Sequence, residues 1–256
     1  MSSHLAPLLV SVQLTPEQRA LIFEQTGLEL GILPFETDAD VVRCRFGGII
    51  LRVTRGVFAP TPATGRLLDL VREEAAGYRR PVVVDVGTGC GALALALSAA
   101  MPRTQVVATD TSADAVTCAR RNRDRLRLRN VSVRRGSLLA PVPSRLRGRV
   151  AVIAGNLPYI PPEFSDAALR MFPEKTAVGL GSDGLDLVRQ LASAARDWLV
   201  PGGLLVLQMA GFQWPSFTSE LVGLGYDEPV LSDDQASRPV AGQARWPGQA
   251  KPQRSK

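Results

Sequence analysis

Apolar positions recur along the chain in two rhythms, and the change between them divides it. Up to about residue 60 the signals are short. Thr15-Pro16-Glu17-Gln18 sets a capping hydroxyl, a proline at the first helical position and a box-closing glutamine ahead of Leu21, Ile22 and Phe23, which predicts a short helix. Alternating Val42, Cys44 and Phe46, then Gly47-Gly48, then Ile50 and its neighbours predict a β-hairpin over 40–53. Pro60 and Pro62 each disfavour helical backbone in the residue before them, so 56–62 is extended and a helix is expected over 63–76.

From Pro81 short apolar runs alternate with helical periodicity. Strands are expected at 82–86, 106–109, 131–134 and 149–154, and helices at 90–100 and 112–126. A further helix with the stripe Leu185, Val188, Ala192, Ala195 and Leu199 is expected to stop at Pro201-Gly202-Gly203, ahead of a buried strand from Leu204 to Met209. Strands this apolar are covered on both faces, which requires a parallel sheet flanked by helices. The expected architecture is α/β, doubly wound and mostly parallel. Residues 1–60 form a small helix-and-hairpin extension, 61–246 the main domain and 247–256 a disordered tail.

Composition narrows the chemistry. With 256 residues, 45% of them hydrophobic, the chain can bury one full core, so a fibrous or disordered protein is excluded. No apolar run reaches the roughly 18 residues that span a bilayer, and 5–14 lacks the flanks of a secretory signal, so a cytoplasmic address is expected. Cys44, Cys90 and Cys118 are too few and too scattered for a disulfide framework, and with a single histidine, His4, neither a metal site nor a histidine-based hydrolase can be assembled. The net charge of +6 comes from 27 Arg and 3 Lys against 24 acids. Eight of those arginines fall between Arg120 and Arg135. They read either as a nucleic-acid footprint or as a solvated helix face, and the lack of interleaved aromatic residues for base stacking favours the second.

Three features carry the chemistry. In the first, the strand ending Val84-Asp85-Val86 feeds Gly87-Thr88-Gly89-Cys90-Gly91, a loop that opens a helix. Its G-x-G-x-G spacing differs from the dinucleotide G-x-G-x-x-G, and a carboxylate at Asp85 would repel a phosphate but hold an ammonium group. The second is Asp110, nineteen residues after Gly91 at the end of the next strand and just before Thr111-Ser112. A carboxylate there can accept both hydroxyls of a ribose, or it can simply cap the helix. The third is Asn156-Leu157-Pro158-Tyr159-Ile160 at the carboxyl end of a buried strand. Asn156 offers an acceptor and a donor pair to a planar amide or amino group whose face Tyr159 could cover, although a plain turn would use the same residues.

The run Asp85 to Gly91, then Asp110, then Asn156 to Ile160 resembles class I S-adenosylmethionine-dependent methyltransferases of the release-factor glutamine N5-methyltransferase type. The likeness extends over about residues 50 to 245, including the lead-in from Gly56 to Leu68 and the stretch from Glu174 to Leu187. It implies a seven-stranded methyltransferase sheet and S-adenosyl-L-methionine as cofactor. Asp85, Gly87 and Gly89 would meet the methionine end, Asp110 the ribose, and Asn156 both cofactor and substrate. Thr88, Gly91, Thr111, Ser137 and Leu138 would complete the cofactor site, and Pro158 and Tyr159 would join Asn156 as catalytic residues. Departures are Leu157 where the family has proline, expected to loosen the turn; Ser137 where it often has aspartate; and Thr61 and Gly65 in its lead-in. The implied function is N-methylation of an amide or amino nitrogen, most simply a glutamine-type side chain of a protein or a small-molecule amide or amine. A nucleic-acid adenine-N6 methyltransferase, a biosynthetic small-molecule methyltransferase and a non-catalytic cofactor-binding protein remain alternatives.

Overall fold

Side chains of β4 (Val82–Val86) alternate between two apolar layers: Val83 packs into one core cluster, Val84 and Val86 into the other, and all three are fully buried. A strand buried on both faces must sit mid-sheet under helices on each side, and it does. The structure, a computed structural model, describes residues 37–38, 41–165, 177–227, 229–231 and 239–248. The helix expected after Thr15 and most of the expected tail lie outside them.

The main sheet runs in the order β6 (Val131–Arg135), β5 (Gln105–Asp110), β4, β7 (Val150–Gly155), β8 (Leu199–Ala210), β10 (Pro239–Arg245) and β9 (Val230–Leu231). Its parallel part comprises β4, β5, β6, β7 and β8, and β10 lies antiparallel between β8 and β9. Helices α1 (Pro62–Ala76), α2 (Ala92–Ala100) and α3 (Ala113–Arg125) cover one face, and α4 (Asp186–Ala195) and α5 (Trp214–Gly223) cover the other. This is the doubly wound, mostly parallel seven-stranded sheet expected. Local chemistry starts the helices as read: Thr61 caps α1 and exchanges bonds with Thr64, and the Ser112 hydroxyl accepts from the Ala115 N–H at 3.2 Å to cap α3. No helix among the described residues is long and apolar enough to cross a membrane.

The expected hairpin forms as β2 (Val41–Phe46) and β3 (Ile49–Thr54), with β1 (Thr37–Asp38) alongside β2. Its inward residues Cys44, Phe46, Leu51 and Val53 share the core cluster of α1 to α3. Asn122 of α3, 2% exposed, fixes the join: its Oδ1 accepts from the Arg52 N–H at 2.9 Å, while its Nδ2 donates to the carbonyls of Arg52 at 2.8 Å and Cys90 at 3.1 Å. One buried amide thereby ties the hairpin to the glycine loop, satisfying three backbone groups that would otherwise lose water unpaired. All three cysteines are buried free thiols in this region.

One expected boundary is corrected. Leu199 is not the last residue of the α4 stripe and Pro201-Gly202-Gly203 does not stop the helix. The helix ends at Ala195, a turn follows over 196–198 and β8 starts at Leu199, the Trp198 carbonyl just before it taken by the Val150 N–H at 3.0 Å. Pro201 to Gly203 instead make a bulge inside β8, where the partner of Val150 is Leu199 but that of Val152 is Leu204. Gly202 has φ +81°, and the bulge is sealed by bonds exchanged with Trp246.

Candidate active site

The carboxyl ends of β4, β5 and β7 surround a cavity of about 290 Å³. Such a crevice at the carboxyl ends of an open α/β sheet is where these folds take ligands. Of the residues singled out from sequence, Asp85, Gly87, Thr88, Gly89, Asp110, Thr111, Ser137, Leu138, Asn156, Pro158 and Tyr159 all border it. Gly91 stands apart: it caps α2 at φ +88°, and a side chain there would run into Leu95 and Ala119, so its lack of one serves helix packing.

The glycine loop turns sharply. Gly87 and Gly89 have φ +74° and +55°, backbone that a side chain makes costly, and the N–H groups of Gly87 and Thr88 both donate to the Thr109 carbonyl, at 2.9 and 3.0 Å. The next free donor, the Gly89 N–H, goes to Asp110 Oδ2 at 2.9 Å, and the Ser112 N–H goes to Asp110 Oδ1, also at 2.9 Å. Asp110 is therefore locked between loop and helix cap, with one bond on each oxygen. A carboxylate has about four lone-pair positions, so each oxygen keeps one for a ligand.

Asp85 lies deeper, 3% exposed. Its Oδ2 accepts from the Thr88 hydroxyl at 2.6 Å and the Ala94 N–H at 3.2 Å. Burial nevertheless raises its carboxyl pKa to about 6, and neither hydrogen bond offsets the loss of water. On the third side, Leu138 holds the left-handed φ of +45°, rare for a non-glycine, and its carbonyl accepts from the Thr109 hydroxyl at 2.9 Å.

The turn after β7 is held by packing. Leu157 is 6% exposed and belongs to the apolar cluster under α4, and any side chain on Gly87 would collide with it. Leu157 was expected to loosen the turn; in the fold its isobutyl group is seated in the core. Burial also raises the Tyr159 phenol pKa, and Gln208 Nε2 approaches its hydroxyl at 3.5 Å. Ile160 bridges the 177–179 segment, with its N–H on the Ala177 carbonyl at 3.0 Å and its carbonyl accepting from the Gly179 N–H at 2.9 Å.

Other wall residues did not stand out one by one. Gly56, Val57, Phe58, Pro60 and Thr64 close the cavity from the hairpin side; the extended, proline-bearing character of 56–62 and the resemblance of the lead-in from Gly56 to Leu68 hinted at the segment but not at the single residues. The arginine run contributes little to this wall. Arg120 donates to the Val133 carbonyl, Arg123 pairs with Asp124, Arg125 donates to the Ile50 carbonyl and Arg135 to the Thr111 carbonyl, so these guanidiniums are engaged within the protein.

Comparison with known proteins gives the family and the fold. The methyltransferase small domain family matches residues 49–174. The release factor glutamine methyltransferase of Deinococcus radiodurans is 39% identical over 191 residues, 73% of this chain and 66% of that protein. The one from Streptomyces coelicolor is 37% identical over 214 residues, 79% of this chain and 73% of that one. The chain spans 66% and 63% of the length of its Deinococcus radiodurans and Pseudomonas aeruginosa relatives. Among solved structures, the T. thermophilus 16S rRNA N2 G1207 methyltransferase in complex with AdoMet and guanosine has the same fold, with a TM-score of 0.59 at 19% identity over 80% of this chain and 50% of that one. The chain belongs to the release factor glutamine methyltransferase family.

Proposed function

We propose that the chain is an S-adenosylmethionine-dependent methyltransferase that methylates the side-chain amide nitrogen of a glutamine in a protein, a release factor being the substrate its relatives' names point to. The observation that carries this reading is that Asn156, Pro158 and Tyr159 border the same cavity as Asp85, the glycine loop and Asp110. The cavity suits the cofactor on three counts: the free lone pairs of Asp110 match a ribose diol, buried Asp85 retains Oδ1 for an ammonium group, and the left-handed glycines keep the loop clear of side chains.

When bound, the cofactor supplies an electrophilic methyl on a sulfonium. The protein's task is to present the nucleophile. An amide nitrogen is a poor one because its lone pair is delocalised into the carbonyl, so most of the rate must come from positioning. Asn156 accepts a hydrogen bond from the substrate N–H and donates to the substrate carbonyl, fixing the amide plane while the Tyr159 ring covers one face. Tyr159 works as a wall and hydrogen-bonding group, since a phenol whose pKa is raised by burial does not supply a base near neutral pH. The substrate nitrogen would gain the methyl as the methyl–sulfur bond breaks and leaves a neutral thioether, and it would shed one proton to water once the positive charge has formed on it.

Incubation with methyl-labelled S-adenosylmethionine tests this reading directly. Label is expected in a single glutamine-bearing peptide of a bacterial release factor. Label confined to RNA or to small molecules from a fractionated lysate would replace it with the nucleobase or metabolite reading.

Asp85 gives the cofactor site a pH signature. Its pKa in the free protein, raised to about 6, lies above its ordinary 3.8, so the unliganded fold loses stability as pH rises from about 3.8 through 6 and the buried carboxyl ionises. Pairing with an ammonium group needs that ionised form. Cofactor affinity should therefore be flat above pH 6 and fall about tenfold per pH unit below it. Titration calorimetry across pH 5 to 8 checks this, and Asp85→Asn should abolish the slope. An equal slope in that variant would show that another group titrates.

A further inference from the structure

Gln213 lies beyond the cavity wall, in the 3-10 turn that follows β8, and is 3% exposed. Its side-chain amide is fully used. Oε1 accepts from the Ala210 N–H at 2.9 Å, and Nε2 donates to the Tyr159 carbonyl and to the Asp183 carbonyl, each at 2.8 Å. Three segments distant in sequence thus meet on one planar group: the end of β8, the turn that carries Asn156 and Tyr159, and the 181–185 loop.

The loop is held from its other side as well. Asp183 accepts from Arg189 of α4 at 2.5 and 2.9 Å, its carboxyl held down to about pKa 2 by that guanidinium, and Arg189 also pairs with Glu220 of α5 at 2.7 Å. Gly184, at φ +79°, brings its backbone so close to the Tyr159 carbonyl that a Cβ there would collide with it. The Tyr159 carbonyl therefore has a fixed seat formed by two helices and a strand end, with Gln213 as the donor that reaches it.

Resting on the methyltransferase reading above, we propose that Gln213 is a positioning residue for the reaction: through the Tyr159 carbonyl it sets the height and tilt of the Asn156–Tyr159 turn over the cavity, and it contributes nothing to cofactor binding. Both hydrogens of its Nε2 are required, one for each carbonyl. A carboxylate in its place keeps the acceptor for Ala210 but turns a lone pair toward two carbonyl oxygens, and only the protonated acid can donate to one of them. Burial raises the pKa of such a carboxyl, which brings its protonation into a range where the enzyme can be assayed.

Gln213→Leu and Gln213→Glu are the tests, compared with the unaltered chain at a temperature where circular dichroism finds all three folded. Misplacement of a reacting group by about 1 Å can cost 10²-fold, so Gln213→Leu should lower kcat by about that factor with S-adenosylmethionine affinity within about threefold. In Gln213→Glu the kcat relative to the unaltered chain should be equally low at pH 8 and recover several-fold toward pH 6, a response that a purely structural defect would not give. Hydrogen exchange supplies an arm independent of activity: the peptide spanning 156–161 should exchange faster in Gln213→Leu, while that of β4 is unchanged. Unchanged exchange at 156–161, or a Gln213→Glu defect that ignores pH, would overturn the proposal. If the unaltered chain methylates no protein, the reading it rests on fails instead, and exchange at 156–161 still decides whether Gln213 holds the turn.

Discussion

Replacing Asn156 with alanine is expected to lower the rate of methyl transfer by 10² or more, about 2.7 kcal/mol in the transition state, while cofactor affinity stays within about tenfold. The side chain stands at the end of β7, and the backbone beneath it has little freedom. A Cβ on Gly155 would meet Leu191, and Leu157 is seated in the core, so the substitution should remove hydrogen bonds without moving the turn. Asn156→Asp probes the electrostatics. A carboxylate still accepts from the substrate nitrogen but loses both donors, and it adds a negative charge beside the sulfonium that favours the ground state over the transition state, where the positive charge has moved to nitrogen. Both variants should be slow. Single-turnover rates with labelled cofactor make the comparison, and near-normal turnover of Asn156→Ala on the true substrate would reduce the turn to a structural element.

The strands of the sheet were legible because valine-rich runs buried on both faces have few other uses. Val82–Val86 stands where its pattern put it, and Ser112 caps α3 as its position next to Asp110 suggested. The end of α4 was not legible. Leu199 falls at helical spacing from Ala195 by coincidence, and what places it in the sheet is its pairing with Val150, forty-nine residues earlier in the chain. The same limit applies to the site. Asp85, Asp110 and Asn156 could be found because each stands at the carboxyl end of a strand that a local pattern marks, or just past it, and parallel strands bring those ends together. The role of Gln213 depends on partners 54 and 30 residues away, and a lone glutamine after a strand carries no periodicity that would announce them. The seat of Leu157 was hidden for a related reason: the loss of a proline is visible in sequence, whereas the core that receives its replacement is not.

Asp110→Ala is expected to weaken S-adenosylmethionine binding by about 10² to 10⁴. The lower bound follows from two charge-assisted hydrogen bonds to the ribose hydroxyls at about 1.5 kcal/mol each, the upper from about 3 kcal/mol each. The carboxylate also holds the Gly89 and Ser112 N–H groups at 2.9 Å, so its removal releases the glycine loop and the start of α3 as well as the ribose. A loss of affinity alone would not separate the two effects. A cycle with an analogue lacking both ribose hydroxyls does. If Asp110 binds the diol, the unaltered chain should lose most of its affinity on passing to the analogue, whereas Asp110→Ala should bind the two compounds almost equally. Equal losses in both proteins would mean that Asp110 acts only by shaping the loop. Asp110→Asn should fall between, because an amide oxygen can still accept from the Gly89 N–H or the ribose, but its NH₂ faces the Ser112 donor and the charge that strengthened each bond is gone.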